Sequence, residues 1–454
     1  MESGKASYYF ETYGCQMNFA ESAALKLTLD ERGWNAAQDA EAALLVIINT
    51  CSVRETAERR VFGRLAHYTA LKKKLRGRQK PLFVLVCGCM ASRLGAKLAE
   101  NGADFIMKTQ EHAIFTQILA EIEAWQGGVA GQAPQIDQNI SEIPFNFAPS
   151  HHEAGSFRTF VPIMQGCNNF CSYCIVPYVR GREVCREAAE IGAEIRTLAG
   201  RGVREVTLLG QNVNSYTKGD LDFPGLLEAL ARDTKDTPVR WLRFLSSHPK
   251  DLSMRTIQVM ADNPVFCRHI HLCVQHGSNR ILAVMNRRYT REHFLELCAA
   301  LRAAMPGITL STDILVGFPG ETERDFQEIL SLMEEVRFLY AYMYHYNPRE
   351  GTAAFDLPGR IESQVKAARL ALVIELQKRH TAELLRSRIG DCEVVLVEGV
   401  SRKNSGEMVC RTEHDEMVVA EGGAHLTGTF ATVRFEGLSG NTLRGRFTGD
   451  AAVN

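Results

Sequence analysis

Short apolar segments alternate with longer helix-like segments along most of this 454-residue chain. In the first section the apolar segments lie near residues 8–13, 44–49, 82–86 and 104–107. Strands that alternate with helices usually pair in parallel, because each helix returns the chain to the same end of the sheet. We therefore predict an α/β fold that begins with a doubly wound parallel sheet domain over residues 5–125. A stretch rich in Gly, Pro and Asn follows, which predicts a linker over residues 126–152.

The same alternation resumes in a middle section, which we place at residues 153–385. Its apolar strands are expected near residues 160–165, 204–209, 241–246, 269–273, 308–316 and 340–346. These strand–helix units favour an open, partial (β/α)6 barrel over a closed barrel of about eight units. Over residues 386–450 the pattern changes to short alternating strands separated by Gly-rich turns. This change predicts a small antiparallel β-barrel there.

Composition indicates a folded protein of the cytoplasm. Hydrophobic residues make up 45% of the chain and charged residues 23%, as in globular rather than disordered proteins. There is no secretory signal pattern and no apolar run near the roughly 20 residues of a bilayer span, so we expect no membrane association. Thirteen cysteines in a reducing compartment are more consistent with metal ligands and buried fillers than with disulfides. The net charge of −1 argues mildly against a nucleic-acid partner.

Three cysteines stand together in the segment GCNNFCSYC, residues 166–174, which follows the first predicted strand of the middle section. Catalytic groups gather at the carboxyl ends of such strands. Structural zinc and ferredoxin-like clusters normally take four ligands, and no fourth Cys or His follows at a suitable spacing. Cys167, Cys171 and Cys174, the loop trio, are therefore predicted to hold a 4Fe–4S cluster with one iron open to another ligand. Structural zinc and a chance grouping of buried cysteines are the alternatives.

A second set of cysteines is spread through the first section, and each member follows an apolar segment. Cys15 ends YYFETYGC, Cys51 ends LLVIINTC and Cys89 ends LFVLVCGC. Because the carboxyl ends of neighbouring parallel strands meet at one crevice, this strand-end trio is predicted to bind a second cluster. The alternative is three small apolar residues at strand ends, since free Cys is often buried. Cys87 lies two residues before Cys89 and is expected to face the same way, which makes it the reserve ligand.

The CxxxCxxC spacing after a barrel strand resembles the radical S-adenosylmethionine enzymes. Further segments resemble the methylthiotransferases of that superfamily over nearly the whole chain, namely TYGCQMN, NTCSVRETAERR, GCMA, VPIMQGCNNFCSYCIVPYVRGRE, VTLLGQNVNSY and STDILVGFPGETE. The bacterial branch that acts on dimethylallyl (isopentenyl) adenosine in tRNA is the most similar. Where relatives read GREVSRP and LPVQSGS, this chain has Cys185 with Glu187 and Cys273 with His276. Cys185 is expected to be a neutral replacement, and the sequence assigns no role to His276.

The resemblance implies two 4Fe–4S clusters and S-adenosyl-L-methionine as cofactors. It assigns the strand-end trio to an auxiliary cluster that accepts sulfur and a methyl group. It assigns the loop trio to the cluster whose electron splits S-adenosyl-L-methionine to a 5′-deoxyadenosyl radical. That radical takes a hydrogen atom from carbon 2 of the prenylated adenine, and a methylthio group replaces it. Contacts with S-adenosyl-L-methionine are expected from Tyr173, Gly210, Gln211, Asn212, Gln275, Ser278 and Asp313, each of which is alternatively a polar cap on a strand end.

The resemblance also implies action on tRNA at the anticodon stem-loop. We expect a monomer, and the sequence identifies neither the electron donor nor the sulfur source. The clearest basic stretch runs from Arg54 to Lys80, and it either follows phosphates or is a solvated helix face. A second basic group consists of Arg280, Arg287, Arg288 and Arg291. The C-terminal barrel resembles a TRAM domain, an RNA-binding module, although its acidic residues slightly outnumber its basic ones.

Other activities stay open at this point. Within the family the alternative substrates are threonylcarbamoyl-adenosine in tRNA and an aspartate of a ribosomal protein. Outside enzymology the alternative is a non-catalytic iron–sulfur protein that binds RNA. Fully ligated clusters would suit that alternative, and neither cysteine trio has an evident fourth ligand.

Overall fold

The computed structural model describes residues 6–52, 55–78, 80–109, 111–126 and 155–448. Residues 127–152 of the predicted linker, Arg54 of the basic stretch and residues 449–450 of the predicted C-terminal barrel lie outside the described residues. The chain divides into two compact units. The first comprises Met1–Glu153, Phe160–Asn168 and Ile175–Val184, and the second comprises Ala154–Thr159, Asn169–Cys174 and Cys185–Asn454.

A five-stranded parallel sheet forms the centre of the first unit. Its strands are β1 (Ser7–Thr12), β2 (Asn35–Ala36), β3 (Leu45–Thr50), β4 (Phe83–Gly88) and β5 (Phe105–Met107). The strand order is β2-β1-β3-β4-β5. The helices between the strands are α1 (Gln16–Glu31), α2 (Glu55–Arg76), α3 (Cys89–Glu100) and α4 (His112–Gln126). The predicted N-terminal parallel sheet is confirmed, with β2 as a short edge strand that the apolar pattern does not predict.

Helices cover both faces of this sheet. On one face Ile47 of β3 belongs to a core with Leu29 of α1 and Phe115 of α4. On the other face Ile48 belongs to a core with Leu65 of α2. Neighbouring residues of β3 enter opposite cores, which explains why the strand is apolar at consecutive positions. Burial of one such side chain stabilises the fold by about 1.5–3 kcal/mol.

Four short elements lie where the chain passes from one unit to the other. They are β6 (Arg158–Pro162), β7 (Met164–Gln165), α5 (Val176–Arg180) and β8 (Val184–Cys185). Proline at the start of α5 suits a helix, because the first N–H groups of a helix have no partner within it.

Before its last sheet, the second unit contains parallel strands and an antiparallel hairpin. They are β9 (Glu205–Leu209), the hairpin β10 (Thr217–Lys218) and β11 (Leu221–Asp222), then β12 (Trp241–Phe244), β13 (His269–His271), β14 (Thr309–Val316) and β15 (Tyr340–His345). Outside the antiparallel hairpin, β12 pairs with β9, and β14 pairs with β13 and β15. Isolated parallel bridges, including Ser247–Leu272, connect the segment after β12 with the segment after β13. The carboxyl ends of these strands therefore lie along one edge, and strands occur at all the positions predicted for this section.

Helices separate these strands in sequence. They are α6 (Ala188–Gly200), α7 (Phe223–Thr234), α8 (Met254–Asp262), α9 (Asn279–Val284), α10 (Arg291–Ala304), α11 (Glu323–Val336) and α12 (Ser363–Ser387). Short 3-10 turns occur at Val213–Ser215, Pro249–Asp251 and Ala424–Leu426. Within the described ranges, no helix has both the length and the apolar character that a membrane crossing requires.

The last part of the second unit is a five-stranded sheet that closes into a ring. Its strands are β16 (Cys392–Val400), β17 (Glu407–Thr412), β18 (Met417–Glu421), β19 (Phe430–Ser439) and β20 (Thr442–Phe447). Their order is β16-β17-β18-β20-β19. Neighbours are antiparallel except β18 and β20, which run parallel. The C-terminal sheet is confirmed, but the parallel pair differs from the antiparallel prediction, because alternating apolar residues do not show which strands are neighbours.

Candidate functional site

The strand-end trio lies at one edge of the sheet in the first unit. Parallel pairing joins β1 to β3 and β3 to β4. Cys15, Cys51 and Cys89 follow these strands within three residues, so they reach the same edge. A side-chain hydrogen bond links Cys51 to Cys15, and Cys89 lies within electrostatic range of Cys15. The structure thus brings together three thiols that are far apart in sequence.

The surroundings of these thiols differ in charge. The hydrogen bond from Cys51 lowers the pKa of Cys15 to about 6, against the opposing effect of burial, and the positive charge of Arg180 adds to the shift. Burial raises the pKa of Cys89, and Arg180 reduces that rise. Cys15 is therefore mostly a thiolate at neutral pH, which is the form that binds metals.

Two buried asparagines join the start of α1 to the end of β3. The side-chain nitrogen of Asn18 donates to Asn49 Oδ1 at 3.0 Å and to the Thr50 carbonyl at 3.1 Å. The side-chain nitrogen of Asn49 donates to the Asn18 carbonyl at 2.9 Å. The Cys15 N–H donates to Asn18 Oδ1 at 3.4 Å. The sequence analysis missed both asparagines, although they stand beside the cysteines in CQMN and NTC.

Two glycines allow the strand ends to approach closely. Gly88 has a φ of 90°, and a Cβ atom there would lie 2.4 Å from the Thr50 carbonyl oxygen. A Cβ atom at Gly14 would lie 2.6 Å from the Cβ atom of Cys51. Only glycine fits such positions without displacing the neighbouring backbone. The two glycines therefore set the separation of the cysteine-bearing segments.

A buried arginine contacts the strand-end trio. Arg180, at the end of α5, donates from Nε to the sulfur of Cys89 at 3.2 Å. Its other nitrogens donate to the Glu21 carboxylate at 2.6 and 3.3 Å. The side chain of Arg180 is only 3% exposed, so Glu21 supplies the opposite charge that a buried guanidinium requires. No pattern in the sequence singles out Arg180 or Glu21.

The loop trio is divided between the units, with Cys167 in the first and the other two cysteines in the second. In the first unit the Cys167 N–H donates to the Gly181 carbonyl at 3.2 Å. In the second unit the Cys174 N–H donates to the Cys171 carbonyl at 2.9 Å, which forms a tight turn between the two thiols.

The end of α9 fixes the loop segment in the second unit. The N–H and the hydroxyl of Ser172 donate to the carbonyls of Met285 and Val284, at 3.0 and 2.9 Å. The Asn286 side chain donates to the Phe170 carbonyl at 2.9 Å. These bonds involve no thiol, so the protein itself holds the loop in place before any metal binds.

A second buried arginine contacts the loop trio. Arg287 donates to the Cys171 sulfur at 3.3 Å, to the Cys273 carbonyl at 2.5 Å and to the Tyr289 hydroxyl at 3.2 Å. Arg287 is 4% exposed, and no carboxylate of the described residues lies within ion-pair distance of it. A buried cation needs a compensating anion. Asp313 lies within electrostatic range of Arg287, and Cys171 with whatever binds there would supply negative charge in direct contact.

Several predicted cofactor contacts lie at the carboxyl ends of the strands in the second unit. Tyr173 belongs to a buried cluster with Phe318, and burial raises the pKa of its hydroxyl well above the usual value. Gly210, Gln211 and Asn212 directly follow β9. The edge formed by β9 and β12 therefore carries three of the predicted residues.

Buried polar atoms without protein partners cluster after β9 and β12. The Asn212 side chain donates to Asp251 at 2.7 Å, but its Oδ1 atom accepts no hydrogen bond from the described residues. The same holds for both side-chain polar atoms of Asn214, for Ser247 Oγ and for His248 Nε2. Each unsatisfied buried group costs about 1–3 kcal/mol, so such groups usually have a partner. A polar ligand at this edge would satisfy them, and the sequence analysis missed all but Asn212.

The remaining predicted contacts follow β13 and β14. The Gln275 side chain donates to Asp313 Oδ2 at 3.4 Å, and the Gln275 N–H donates to the Asp313 carbonyl at 2.9 Å. The Ser278 hydroxyl instead donates to Asp325 in the first turn of α11, at 2.7 Å. The structure brings Gln275 and Asp313 together, whereas Ser278 has a protein partner at another element.

The structure gives His276 a structural role. This fully buried imidazole accepts the Ser278 N–H at Nδ1, at 3.0 Å, and its Nε2 lies 3.2 Å from Glu321. Glu321 also accepts from Arg369 at 2.6 Å and from the Gly317 N–H at 2.8 Å. His276 thus ties the segment after β13 to the turn before α11.

Cys87 and Cys89 lie in different surroundings. Cys87 belongs to the apolar core between the sheet and helices α1 and α4, and burial raises its pKa. Cys89 begins α3 and packs with Ile175 and Val179. Cys89 lies within electrostatic range of Cys87, but only Cys87 of the two packs in this apolar core. This placement favours Cys89 as the ligand.

Ion pairs within the protein neutralise much of the basic charge that is counted along the sequence. In the first basic stretch the pairs are Arg64–Glu11, Lys72–Asp104 and Lys74–Glu41. In the second group they are Arg280–Asp325 and Arg291–Glu335. Arg60, Lys73, Arg76 and Arg288 are exposed. Any contact with phosphates would therefore use a smaller set of side chains than the sequence indicates.

Two family models match this sequence. The model of the Radical SAM superfamily matches residues 161–333, which include the loop trio. The model described as uncharacterized protein family UPF0004 matches residues 7–108, which include the strand-end trio.

Solved structures share the fold. The radical S-adenosylmethionine methyltransferase TsrM from Kitasatospora setae, solved with cobalamin and a [4Fe-4S] cluster, has a TM-score of 0.58 and 15% identity, covering 77% of this chain and 74% of that one. The cobalamin-dependent S-adenosylmethionine radical enzyme OxsB has a TM-score of 0.51 and 9% identity, covering 83% of this chain and 57% of that one. Identities this low concern the fold alone.

Curated relatives are similar over nearly the whole chain. The tRNA-2-methylthio-N(6)-dimethylallyladenosine synthase of Treponema denticola is 49% identical, covering 96% of this chain and 99% of the relative. Proteins of the same name from Geobacter metallireducens and Phocaeicola vulgatus are 43% and 42% identical, covering 98% of this chain and 98% and 96% of the relatives. The chain therefore belongs to the family of the tRNA-2-methylthio-N(6)-dimethylallyladenosine synthases, within the radical SAM superfamily.

Proposed function

We propose that this protein adds a methylthio group to carbon 2 of dimethylallyladenosine, beside the anticodon of tRNA. The activity comes from the names of relatives that are 42–49% identical over nearly the whole chain. The single observation that supports it most is the meeting of Cys15, Cys51 and Cys89 at one sheet edge, in a chain that also has the CxxxCxxC loop. A second three-thiol site distinguishes a sulfur-transferring enzyme from one that only generates a radical.

The residues of both trios fit 4Fe–4S clusters. Each trio offers three thiols, so one iron of a bound cluster would have no protein ligand. In such a cluster each of the three thiolates binds a different iron. When bound, the clusters and S-adenosyl-L-methionine supply the electron, the radical, the sulfur and the methyl group.

The unpartnered polar atoms after β9 and β12 fit the polar groups of S-adenosyl-L-methionine. Asn212 and Asn214 offer amide oxygens, and Ser247 and His248 offer a hydroxyl and a ring nitrogen. Burial lowers the pKa of His248 to about 2, with help from the nearby Arg287, so this imidazole is neutral at physiological pH. We assign these residues, with the predicted Tyr173, Gly210, Gln211 and Gln275, to the cofactor edge.

The two buried arginines differ in charge balance. Arg180 is paired with Glu21, so its positive charge is largely neutralised. Arg287 has no such carboxylate, and it donates to Cys171. Positive charge and hydrogen bonds at a ligand sulfur favour the reduced state of a cluster, because reduction adds negative charge. We propose that Arg287 favours one-electron reduction of a cluster bound at the loop trio.

Replacement of Arg287 by Met is expected to lower the reduction potential at the loop trio by about 60 mV or more. A hydrogen bond to a charged group contributes about 1.5–3 kcal/mol, and 59 mV corresponds to about 1.4 kcal/mol for a one-electron couple. Electron paramagnetic resonance during a redox titration measures the shift.

Two variants serve as comparisons for this titration. Arg287→Lys keeps the charge and is expected to shift the potential less than Arg287→Met. Tyr289→Phe removes a hydroxyl partner of Arg287 without changing the charge. Equal potentials in the wild type and in a folded, iron-loaded Arg287→Met variant would rule out this role.

The remaining assignments are part of the same proposal. We place the auxiliary-cluster domain at residues 5–125, the linker at 126–152, the radical domain at 153–385 and a TRAM-like RNA-binding barrel at 386–450. The protein is proposed to act in the cytoplasm as a monomer, with the anticodon stem-loop as its substrate. Exposed basic residues, among them Arg60, Lys73 and Arg288, are the proposed phosphate contacts.

Mass spectrometry of tRNA nucleosides tests the proposed function. Cells that lack this protein and have no redundant enzyme are expected to contain dimethylallyladenosine without its methylthio group. Expression of the wild-type chain restores the modification, and expression of the Cys171→Ala variant does not. Methylthiolated dimethylallyladenosine in the deleted strain would refute the substrate assignment.

A further inference from the structure

A third group of metal-binding side chains lies in the second unit. His271 ends β13, Cys273 follows two residues later, and Asp313 lies on the neighbouring strand β14. The ligand atoms of these three residues all lie within 4.8 Å of one another. His271 Nε2 is 3.6 Å from Asp313 Oδ2. Around a tetrahedral zinc ion with bonds of about 2.0–2.3 Å, neighbouring ligand atoms are roughly 3.3–3.8 Å apart.

We propose that His271, Cys273 and Asp313 form a mononuclear binding site for a divalent cation of the zinc class. Imidazole nitrogen, thiolate sulfur and carboxylate oxygen are the ligand types that zinc prefers in proteins. Three protein ligands leave the fourth position of a tetrahedral ion open to water. This site differs from the cysteine trios, since it offers one sulfur instead of three.

Residues around the site orient its ligands. Ser311 Oγ lies 2.9 Å from His271 Nδ1 and 2.9 Å from His269 Nε2, so one hydroxyl links the two rings. Because Ser311 engages Nδ1, the Nε2 atom of His271 is the nitrogen left for a metal. Metal-binding histidines usually engage their other ring nitrogen in this way. The Gln275 side chain donates to Asp313 and holds its carboxylate.

The same geometry argues against a nucleophilic Cys–His–Asp relay. In such a relay the thiol and the carboxylate contact opposite nitrogens of the imidazole. Here Ser311 occupies Nδ1, and Asp313 faces Nε2. The side chains of Cys273 and Asp313 therefore converge on one point beside His271, as ligands of one ion do.

A second group of possible ligands is less suited to a cation, because one of its carboxylates is already paired with an arginine. Glu393, Glu413 and His414 also lie within 4.8 Å of one another. Glu393, however, pairs with Arg388, so its charge is already neutralised. Among the residues that the structure describes, no Arg or Lys lies within ion-pair distance of Asp313. Arg287 lies within electrostatic range of Asp313 but forms no ion pair with it.

The proposed site changes the interpretation of two residues. Asp313, predicted from the sequence to contact S-adenosyl-L-methionine, becomes a metal ligand. Cys273, which replaces the Pro of the family segment LPVQSGS, supplies the sulfur. Arg287 contacts both the Cys273 carbonyl and the Cys171 sulfur, so the extra thiol lies near the loop trio. A metal-bound thiolate has no S–H bond and donates no hydrogen atom to a radical; this consequence alone rests on the proposed function.

Zinc analysis of the full-length, cluster-loaded protein tests the site. After anaerobic purification with added zinc and removal of loosely bound metal, mass spectrometry of the elements is expected to find about one zinc per chain. X-ray absorption at the zinc edge is expected to show one sulfur ligand, with nitrogen and oxygen completing about four. Cys273→Ser and Asp313→Asn are each expected to lower the zinc content at least tenfold while the iron content stays unchanged.

Cys298→Ala is the matched control, because this buried cysteine lies in α10 and is expected to leave zinc binding unchanged. Absence of zinc from the wild type would overturn the proposal. So would three sulfur ligands per zinc, which would place the ion in a cysteine trio, or full zinc content in folded Cys273→Ser. Because tRNA modification is not measured, failure of this site and failure of the proposed function are distinguishable.

Discussion

A variant in which Cys167, Cys171 and Cys174 are all replaced by Ala is expected to retain about half the iron of the wild type and to lose all cleavage of S-adenosyl-L-methionine. The fold should persist, because the hydrogen bonds of Ser172 and Asn286 that hold the loop do not involve the thiols. Four of about eight irons would be lost, since each cluster holds about four. Iron analysis after anaerobic reconstitution and chromatography of 5′-deoxyadenosine measure the two effects.

A matched variant separates ligand loss from loss of thiols in general. Replacement of Cys185, Cys298 and Cys392 by Ala also removes three cysteines, none of them in either trio. Its iron content and its 5′-deoxyadenosine yield are expected to equal those of the wild type. Full iron content in the variant of the loop trio would show that these cysteines are not ligands.

A variant with Cys15, Cys51 and Cys89 replaced by Ala is expected to lose a different step of the reaction from the variant of the loop trio. It should retain about four irons and still release 5′-deoxyadenosine, because the loop trio and Arg287 belong to other segments of the chain. It should form no methylthiolated adenosine, since the proposed site of sulfur delivery is gone. The comparison requires both products to be measured in the same reaction with prenylated tRNA.

Cys87→Ala is the control for this variant. Cys87 lies in the apolar core and is expected to affect stability more than iron content. Loss of about four irons in Cys87→Ala, with none in Cys89→Ala, would make Cys87 the ligand. Normal methylthiolation by the variant of the strand-end trio would contradict its role in sulfur delivery.

The sequence predicts the parallel sheet of the first unit and the meeting of Cys15, Cys51 and Cys89, because both depend on local patterns. The consecutive apolar residues of β3 indicate a strand buried on both faces, as the structure shows. A cysteine after each strand is predicted to reach one edge of a parallel sheet, and Cys15, Cys51 and Cys89 do so. Such inferences need only the order of elements along the chain.

The contacts of Arg287 and Arg180 with cysteine sulfurs could not be predicted from the sequence. Arg287 is 116 residues from Cys171, and Arg180 is 91 residues from Cys89. Neither position shows a periodicity that would indicate burial, and an arginine is usually assigned to the surface. The role of His276 was missed for the same reason, since its partner Glu321 is 45 residues away.

The basic charge counted along the sequence is larger than the charge that the fold leaves unpaired. The basic stretch before Lys80 contains many more basic than acidic residues in sequence. Its carboxylate partners Glu11, Glu41 and Asp104 come from other elements, which a local count cannot include. Only the fold shows which basic side chains remain exposed.

The number of clusters per chain is the most direct test of two three-cysteine sites. Mössbauer spectroscopy of the intact protein reconstituted with iron-57, together with iron and sulfide analysis, measures it. The expected result is two 4Fe–4S clusters and about eight irons per chain. A single cluster with about four irons in fully folded, anaerobically reconstituted protein would contradict the assignment.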